Sequence, residues 1–160
     1  MVGIYGLRAS LERARNSSSH CQKRKYKRGI KMRKKRILIV EDAPYMREMI
    51  VEMLNHAKDR YEVVGFATNG KEGVEKYSEL KPDLVTMDLV MEEMDGIQAI
   101  RKIKQEYPNA LILVVTAMDT PENRNMAMEA GADGYLWKPF TINNLLDVLE
   151  RMFGKDKSGW

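Results

Sequence analysis

Four apolar residues run directly into two acids at Ile37-Leu38-Ile39-Val40-Glu41-Asp42. An unbroken, β-branched apolar run of this kind is typical of a strand that is buried on both faces of a sheet. Pro44 follows the acids almost at once, and proline is favoured at the first position of a helix. The segment therefore predicts a buried strand, an acidic loop and the start of a helix, which together form the first half of a β/α unit.

The same alternation of strand and helix continues to the end of the chain. Apolar runs predict strands, and the segments between them carry apolar residues at helical spacing. The strands are expected at residues 37–40, 61–67, 84–87, 111–116 and 134–137. Five such units predict an α/β fold, a doubly wound five-stranded parallel sheet with five helices. Met126 and Met128 lie in the fourth helical segment and are expected to fill the core.

Charge is divided unevenly along the chain. Residues 1–36 contain thirteen Lys or Arg and one acid, a net charge of +12. The remaining residues contain fourteen bases and twenty-two acids, a net charge of −8, so the total of +4 describes neither part. The acidic balance makes nucleic-acid binding by the folded part an unfavourable interpretation.

The basic segment predicts the domain organisation. Residues 1–34 have few apolar residues and many like charges, so we expect a disordered leader. We expect a folded domain over residues 35–155 and a short tail over residues 156–160. The leader leaves three interpretations open: a dispensable extension, a basic arm that binds nucleic acid or an anionic membrane, or an organellar transit peptide.

The remaining composition points to a cytoplasmic protein. Cys21 is the single cysteine, which excludes an internal disulfide and favours a reducing compartment. No stretch approaches the roughly 18 apolar residues of a membrane span. His20 and His56 are the only histidines, too few for a histidine-rich metal site.

Polar residues follow four of the predicted strands. Glu41 and Asp42 end the first, Asp88 the third and Thr116 the fourth, while the fifth leads to Lys138. The carboxyl ends of parallel strands meet at one edge, and ligands bind there beside the topological switch point. We therefore expect three carboxylates, a hydroxyl and an ammonium in one pocket.

That set of groups suits phosphoryl transfer. Clustered carboxylates repel one another unless a cation lies among them, and oxygen ligands suit Mg²⁺. A carboxylate can attack a phosphoryl group, and neutralising the phosphoryl oxygens promotes the transfer. Each residue alone has a simpler explanation: an acid can cap a helix, Thr116 can end a strand, and Lys138 can be a solvated charge. Their joint occurrence at successive strand ends favours the phosphoryl site.

The order of these motifs resembles the receiver domains of two-component response regulators, especially single-domain chemotaxis regulators. The likeness extends from Lys35 to about Lys155. The matching segments are residues 37–42, 87–91, 94–96, 115–117, 130–136 and 138–140. The resemblance implies a flavodoxin-like strand order of 2-1-3-4-5.

The resemblance also implies roles for the acidic residues. Asp88 corresponds to the phospho-acceptor. Glu41, Asp42 and Asp88, together with the backbone carbonyl of Val90, correspond to the protein ligands of Mg²⁺, with Asp42 the more direct ligand of the acidic pair and Glu41 acting partly through water.

Four further positions are assigned in the same way. Thr116 and Lys138 correspond to the residues that contact phosphoryl oxygens. Tyr135 corresponds to the switch aromatic, which turns inward when Thr116 moves toward the phosphate. A cis peptide bond is implied before Pro139.

Two features depart from the family pattern or refine it. Glu92 stands where proline is usual, which should loosen the loop after Asp88 and add negative charge near its rim. Val90 and Met118 occupy the positions that tune loss of the phosphoryl group. Because apolar side chains cannot orient an attacking water, we predict slow self-dephosphorylation.

The resemblance implies a signalling switch rather than an enzyme. It implies phosphorylation by a sensor histidine kinase, with a chemotaxis kinase favoured, and output to a motor or motor-adaptor protein. We expect a monomer, and since the chain ends soon after the fifth helix, no attached DNA-binding domain. Two alternatives stay open: a phosphorelay intermediate that passes phosphate to a histidine phosphotransfer protein, and a receiver with a nucleic-acid-binding leader. A phosphohydrolase of the haloacid dehalogenase type would need a second aspartate where Val90 stands.

Overall fold

The computed structural model describes residues 32–154, in which five strands and five helices alternate. The strands are β1 (Lys35–Val40), β2 (Tyr61–Ala67), β3 (Leu84–Met87), β4 (Ile112–Thr116) and β5 (Gly134–Trp137). The helices are α1 (Pro44–Asn55), α2 (Gly70–Leu80), α3 (Gly96–Glu106), α4 (Pro121–Ala130) and α5 (Ile142–Phe153).

The strands form one parallel sheet in the order β2-β1-β3-β4-β5. Both the doubly wound fold and the implied strand order are thereby confirmed. The order reverses between β1 and β3, so the loops that follow these two strands lie side by side at the carboxyl end of the sheet. β4 begins at Ile112, one residue later than the sequence predicted.

Two apolar cores cover the two faces of the sheet. Alternate residues of β1 divide between them: Leu38 and Val40 pack with α2, α3 and α4, whereas Ile37 and Ile39 pack with α1 and α5. All four side chains are essentially inaccessible to solvent. This burial on both faces explains why the sequence reads as a continuous apolar run rather than an alternating one.

Side-chain caps begin four of the five helices. The caps are Asn69 for α2, Asp95 for α3, Thr120 for α4 and Thr141 for α5, and each accepts a hydrogen bond from a backbone N–H in the first turn. Helix α1 differs, because its N-cap is Ala43, which has no side chain able to make this bond.

The prediction that Met126 and Met128 fill the core is wrong. Their side chains are 43% and 40% exposed. The side of α4 that faces the sheet carries Ala127 and Ala130, and the two methionines lie about 100° to either side of Ala127 on the helix. Small residues therefore make the contact, and the methionines flank it.

The predictions for the two ends of the chain fall mostly outside the described residues. The expected leader over residues 1–34 is described only from Met32 onward, and the expected tail over residues 156–160 is not described. Cys21 and His20 also lie outside. Between Met32 and Gly154, no helix is long and apolar enough to cross a membrane.

Candidate functional site

Three carboxylates meet at the carboxyl end of the sheet. Glu41 and Asp42 follow β1, Asp88 follows β3, and one carboxylate oxygen from each lies within 4.8 Å of the others. Glu41 and Asp88 are 2% and 7% exposed, whereas Asp42 is exposed. The structure thus brings together the three acids that the sequence placed at this edge.

One ammonium group lies between the two buried carboxylates. The Nζ of Lys138 is 2.6 Å from Oε2 of Glu41 and 3.3 Å from Oδ2 of Asp88. The backbone N–H of Lys138 donates to the carbonyl of Thr116 at 2.9 Å, which continues the pairing of β5 with β4. The peptide bond between Lys138 and Pro139 is cis, as the resemblance implied. Three carboxylates and one ammonium leave an excess of negative charge in this pocket.

Burial raises the pKa of Glu41 above its usual value. The hydrogen bond and charge of Lys138 lower this pKa, while the negative charge of Asp88 raises it further. The other carboxylate oxygen of Glu41, Oε1, accepts the N–H of Ala43 at 3.2 Å. Glu41 is therefore held at both oxygens in an environment that disfavours its ionised form.

The donor set fits a hard divalent cation. All three side chains offer oxygen, and the exposure of Asp42 leaves room for the water molecules that Mg²⁺ retains. The single ammonium of Lys138 cannot offset the charge of three carboxylates. A bound divalent cation would offset the remaining negative charge. Val90 is 58% exposed, and its N–H donates a long hydrogen bond of 3.4 Å to Oδ1 of Asp88.

The loop between β3 and α3 folds back against Asp88. Gly96 allows this approach, because a Cβ at this position would collide with the carbonyl oxygen of Asp88. The N–H of Gly96 donates to the carbonyl of Leu89 at 3.0 Å. Glu93 adopts a left-handed conformation with φ of 61°, unusual for a residue with a side chain. The loosening expected from Glu92 stays a prediction.

The side chains of Thr116 and Tyr135 both form hydrogen bonds with the backbone of Met118. Thr116 is fully buried, and its hydroxyl oxygen accepts the N–H of Met118 at 3.3 Å. The hydroxyl of Tyr135 donates to the carbonyl of Met118 at 2.6 Å, and the ring is 6% exposed. Tyr135 therefore lies inward, with its ring 5.9 Å from that of Trp137 in an edge-to-face arrangement. Its movement on phosphorylation stays a prediction.

Sequence reasoning missed Arg47. Its Nη1 donates to the backbone carbonyls of Glu41 at 2.7 Å and Asp42 at 3.0 Å. A signal was present in the sequence, because Arg47 is the fourth residue of α1 and a cation near a helix N-terminus is unfavourable.

Known proteins resemble this chain in sequence and in fold. A family model for the response regulator receiver domain matches residues 37–150. The chemotaxis protein CheY of Thermotoga maritima is 48% identical over 118 residues, which cover 74% of this chain and 97% of that protein. The chemotaxis protein CheY of Bacillus subtilis is 46% identical over 116 residues, covering 72% and 95%. The crystal structure of Vibrio cholerae chemotaxis protein CheY4 is 29% identical with a TM-score of 0.69, covering 75% of this chain and 98% of that one.

Proposed function

The chain belongs to the family of response regulator receiver domains, and from this premise we propose that it is a CheY-like chemotaxis regulator phosphorylated on Asp88 by a sensor histidine kinase. The observation that carries the proposal is the position of Asp88, which is buried at a strand end with the ammonium of Lys138 between it and Glu41. Burying a carboxylate costs folding free energy, so its presence at this strand end supports a role in a reaction rather than in stability.

The proposed reaction is attack by a carboxylate oxygen of Asp88 on the phosphorus of a phosphohistidine. The P–O bond to Asp88 forms as the P–N bond breaks, and the imidazole leaves with the bonding electron pair. Glu41, Asp42 and Asp88, with the carbonyl of Val90, would hold Mg²⁺, which supplies positive charge to the phosphoryl oxygens when bound.

Two side chains are suited to bind the transferred group. Lys138 is 3.3 Å from Asp88 and can transfer its hydrogen bond to a phosphoryl oxygen. The hydroxyl of Thr116 is held by the N–H of Met118 at 3.3 Å, a weak bond that a phosphoryl oxygen can replace. Because Tyr135 bonds to the carbonyl of the same residue, movement at Thr116 is transmitted to Tyr135.

We assign the output to protein contact at the surface around Tyr135. A groove on α4, β5 and α5 is lined by residues that include Arg124, Trp137, Asp147 and Arg151. The guanidinium of Arg124 lies 5.5 Å from the centroid of Trp137, which is 41% exposed. An exposed aromatic ring beside cations suits a motor or motor-adaptor partner that offers apolar and acidic side chains.

Incubation with acetyl phosphate and Mg²⁺, followed by intact mass measurement and peptide mapping, tests the central step. We expect one phosphoryl adduct on Asp88 and none on an Asp88→Asn variant. Asp95→Asn is the matched control, because asparagine keeps the cap that Asp95 makes for α3. Undiminished labelling of Asp88→Asn would overturn the proposal.

The lifetime of the adduct tests a second feature of the site. Val90 and Met118 are 58% and 38% exposed beside the pocket, and neither can orient an attacking water. We propose that the phosphorylated protein is long-lived, and that Met118→Asn or Val90→Asn shortens its life. Hydrolysis of the wild-type adduct within seconds would contradict this.

A further inference from the structure

We propose that Arg47 is a positioning residue for the magnesium site, acting through the backbone of the two acids that precede α1. This inference rests on the proposed function, because it assumes that Glu41 and Asp42 bind the metal. Arg47 does not itself contact the carboxylates. It binds the carbonyl oxygens of Glu41 and Asp42 at 2.7 and 3.0 Å.

The need for such a residue is clearest at Asp42. Glu41 is held through both carboxylate oxygens, by Ala43 and by Lys138. The carboxylate of Asp42 forms no hydrogen bond or ion pair with any residue between Met32 and Gly154, so its direction depends on the backbone that carries it. Arg47 fixes that backbone.

The start of α1 supports the same interpretation. The other four helices have a side-chain cap, whereas α1 has Ala43 at this position and no acid in its first turn. The dipole of a helix disfavours a cation near its N-terminus, so the stability of α1 does not explain the guanidinium. Two short bonds to the preceding loop do explain it.

Two effects of removing Arg47 have opposite signs. Loss of a group that orients metal ligands typically weakens metal affinity by roughly 10–100-fold. Loss of a positive charge near three carboxylates strengthens the attraction for a cation. The direction of the change in Mg²⁺ affinity therefore distinguishes a positioning role from a purely electrostatic one.

Arg36 provides a matched control. Its Nη1 donates to the carbonyls of Leu80 at 2.7 Å and Lys81 at 3.1 Å, the same two-carbonyl arrangement. Arg36 lies at the beginning of β1, and Arg47 binds the loop that follows the end of that strand. Arg36→Met therefore removes an equivalent contact at the far end of the sheet.

The experiment measures Mg²⁺ binding to the full-length chain by isothermal titration calorimetry, with thermal unfolding recorded for each variant. We expect Arg47→Met to raise the Mg²⁺ dissociation constant about tenfold, and Arg36→Met to leave it unchanged. Arg47→Lys keeps the charge, but its Nζ lies one bond nearer the backbone than the Nη1 that makes both hydrogen bonds, so its dissociation constant should also rise. If Arg47→Met does not fold, the lysine variant alone tests the inference.

Labelling with acetyl phosphate gives a second readout. The Mg²⁺ concentration for half-maximal labelling of Arg47→Met should rise with the dissociation constant, while the rate at saturating Mg²⁺ stays close to wild type. An unchanged or lower dissociation constant for Arg47→Met, or an unchanged one for Arg47→Lys, would overturn the inference and leave the proposed function intact. Absence of Mg²⁺ binding by the wild type would overturn both.

Discussion

Two carboxylates at the amino end of the sheet each have a cation and a backbone N–H as partners, whereas at the carboxyl end one ammonium serves a group of three carboxylates and bonds to two of them. Asp83 lies 2.5 Å from the guanidinium of Arg33 and accepts the N–H of Arg36 at 2.7 Å. Asp133 lies 2.7 Å from Lys104 and accepts the N–H of Ile112 at 3.0 Å.

The difference separates charges that hold the fold from charges that remain available to a ligand. Asp133 connects Lys104 of α3 to the first residue of β4, and Asp83 binds Arg33 and the backbone at the beginning of β1. At the carboxyl end Lys138 offsets only part of the charge of Glu41, Asp42 and Asp88. One parallel sheet thus carries a neutralised end and an end with an excess of negative charge.

The largest expected effect is at the neutralised end. Asp133→Ala removes both the ion pair with Lys104 and the bond to the N–H of Ile112, which is then left without its partner. We expect the free energy of unfolding to fall by about 2 kcal/mol, measured by urea denaturation. Asp147→Ala is the control, because Asp147 is exposed and forms no ion pair within residues 32–154. Equal losses for the two variants would remove the distinction between the two ends.

The same measurement should give the opposite sign at the carboxyl end. In EDTA, Asp88→Asn removes one of the crowded charges and lets Lys138 pair with Glu41 alone. We expect the free energy of unfolding to rise by about 1 kcal/mol. Asp95→Asn should change little, since asparagine also caps helices. A marked loss of stability in Asp88→Asn would show that its bond to Lys138 outweighs the repulsion.

The sequence predicted most of the site because the ends of buried strands can be recognised from apolar runs in an α/β chain. Glu41, Asp42, Asp88, Thr116 and Lys138 each follow an apolar run, and parallel pairing brings such positions together. Arg47 was missed for a physical reason. A cation near the start of α1 marked the residue, but its partners are backbone carbonyls, which every residue has, so no pattern of side chains showed where it binds.

The methionines of α4 were misassigned for a related reason. Large apolar residues in a helical segment are usually interpreted as core residues. Helix α4, however, contacts the sheet through Ala127 and Ala130. Alanine carries little hydrophobic signal, and Met126 and Met128 carry a strong one. The side with the smaller residues was the buried one, because it allows a closer approach to the neighbouring elements.

A smaller effect is expected in the pH dependence of stability without metal. Burial first, and then Asp88, raises the pKa of Glu41, so the folded chain binds this proton more tightly than the unfolded chain. Stability should therefore fall as pH rises from the usual glutamate value of 4.5 through the raised pKa. Lys138 opposes the shift and limits its size. Glu41→Gln should flatten this part of the curve in urea denaturation at a series of pH values.

Glu72 is the control for that slope. Its pKa is lowered, first by the hydrogen bond with Lys76 and then by the N–H of Thr68. Its contribution is present above 4.5 and is lost as pH falls through the lowered pKa. Glu72→Gln should therefore lower stability above 4.5 by a constant amount, leave the slope there unchanged, and remove the slope that Glu72 contributes below 4.5. A slope above 4.5 that persists in Glu41→Gln would assign it to another group.

The smallest expected effect concerns two left-handed residues, one near each end of the sheet. Glu93 has φ of 61° in the loop after Asp88, and Lys81 has φ of 46° after α2. Glycine relieves the strain at such positions but gains freedom in the unfolded chain, so Glu93→Gly should stabilise by about 0.5 kcal/mol. Lys81 lies 3.8 Å from the ring centroid of Tyr107, a cation–π contact of about 0.5–1 kcal/mol that Lys81→Gly would lose. Urea denaturation should therefore show a gain for Glu93→Gly and almost none for Lys81→Gly, since strain is offset by a contact only at the neutralised end. A larger gain in stability for Lys81→Gly than for Glu93→Gly would show that the cation–π contact does not offset the strain at Lys81.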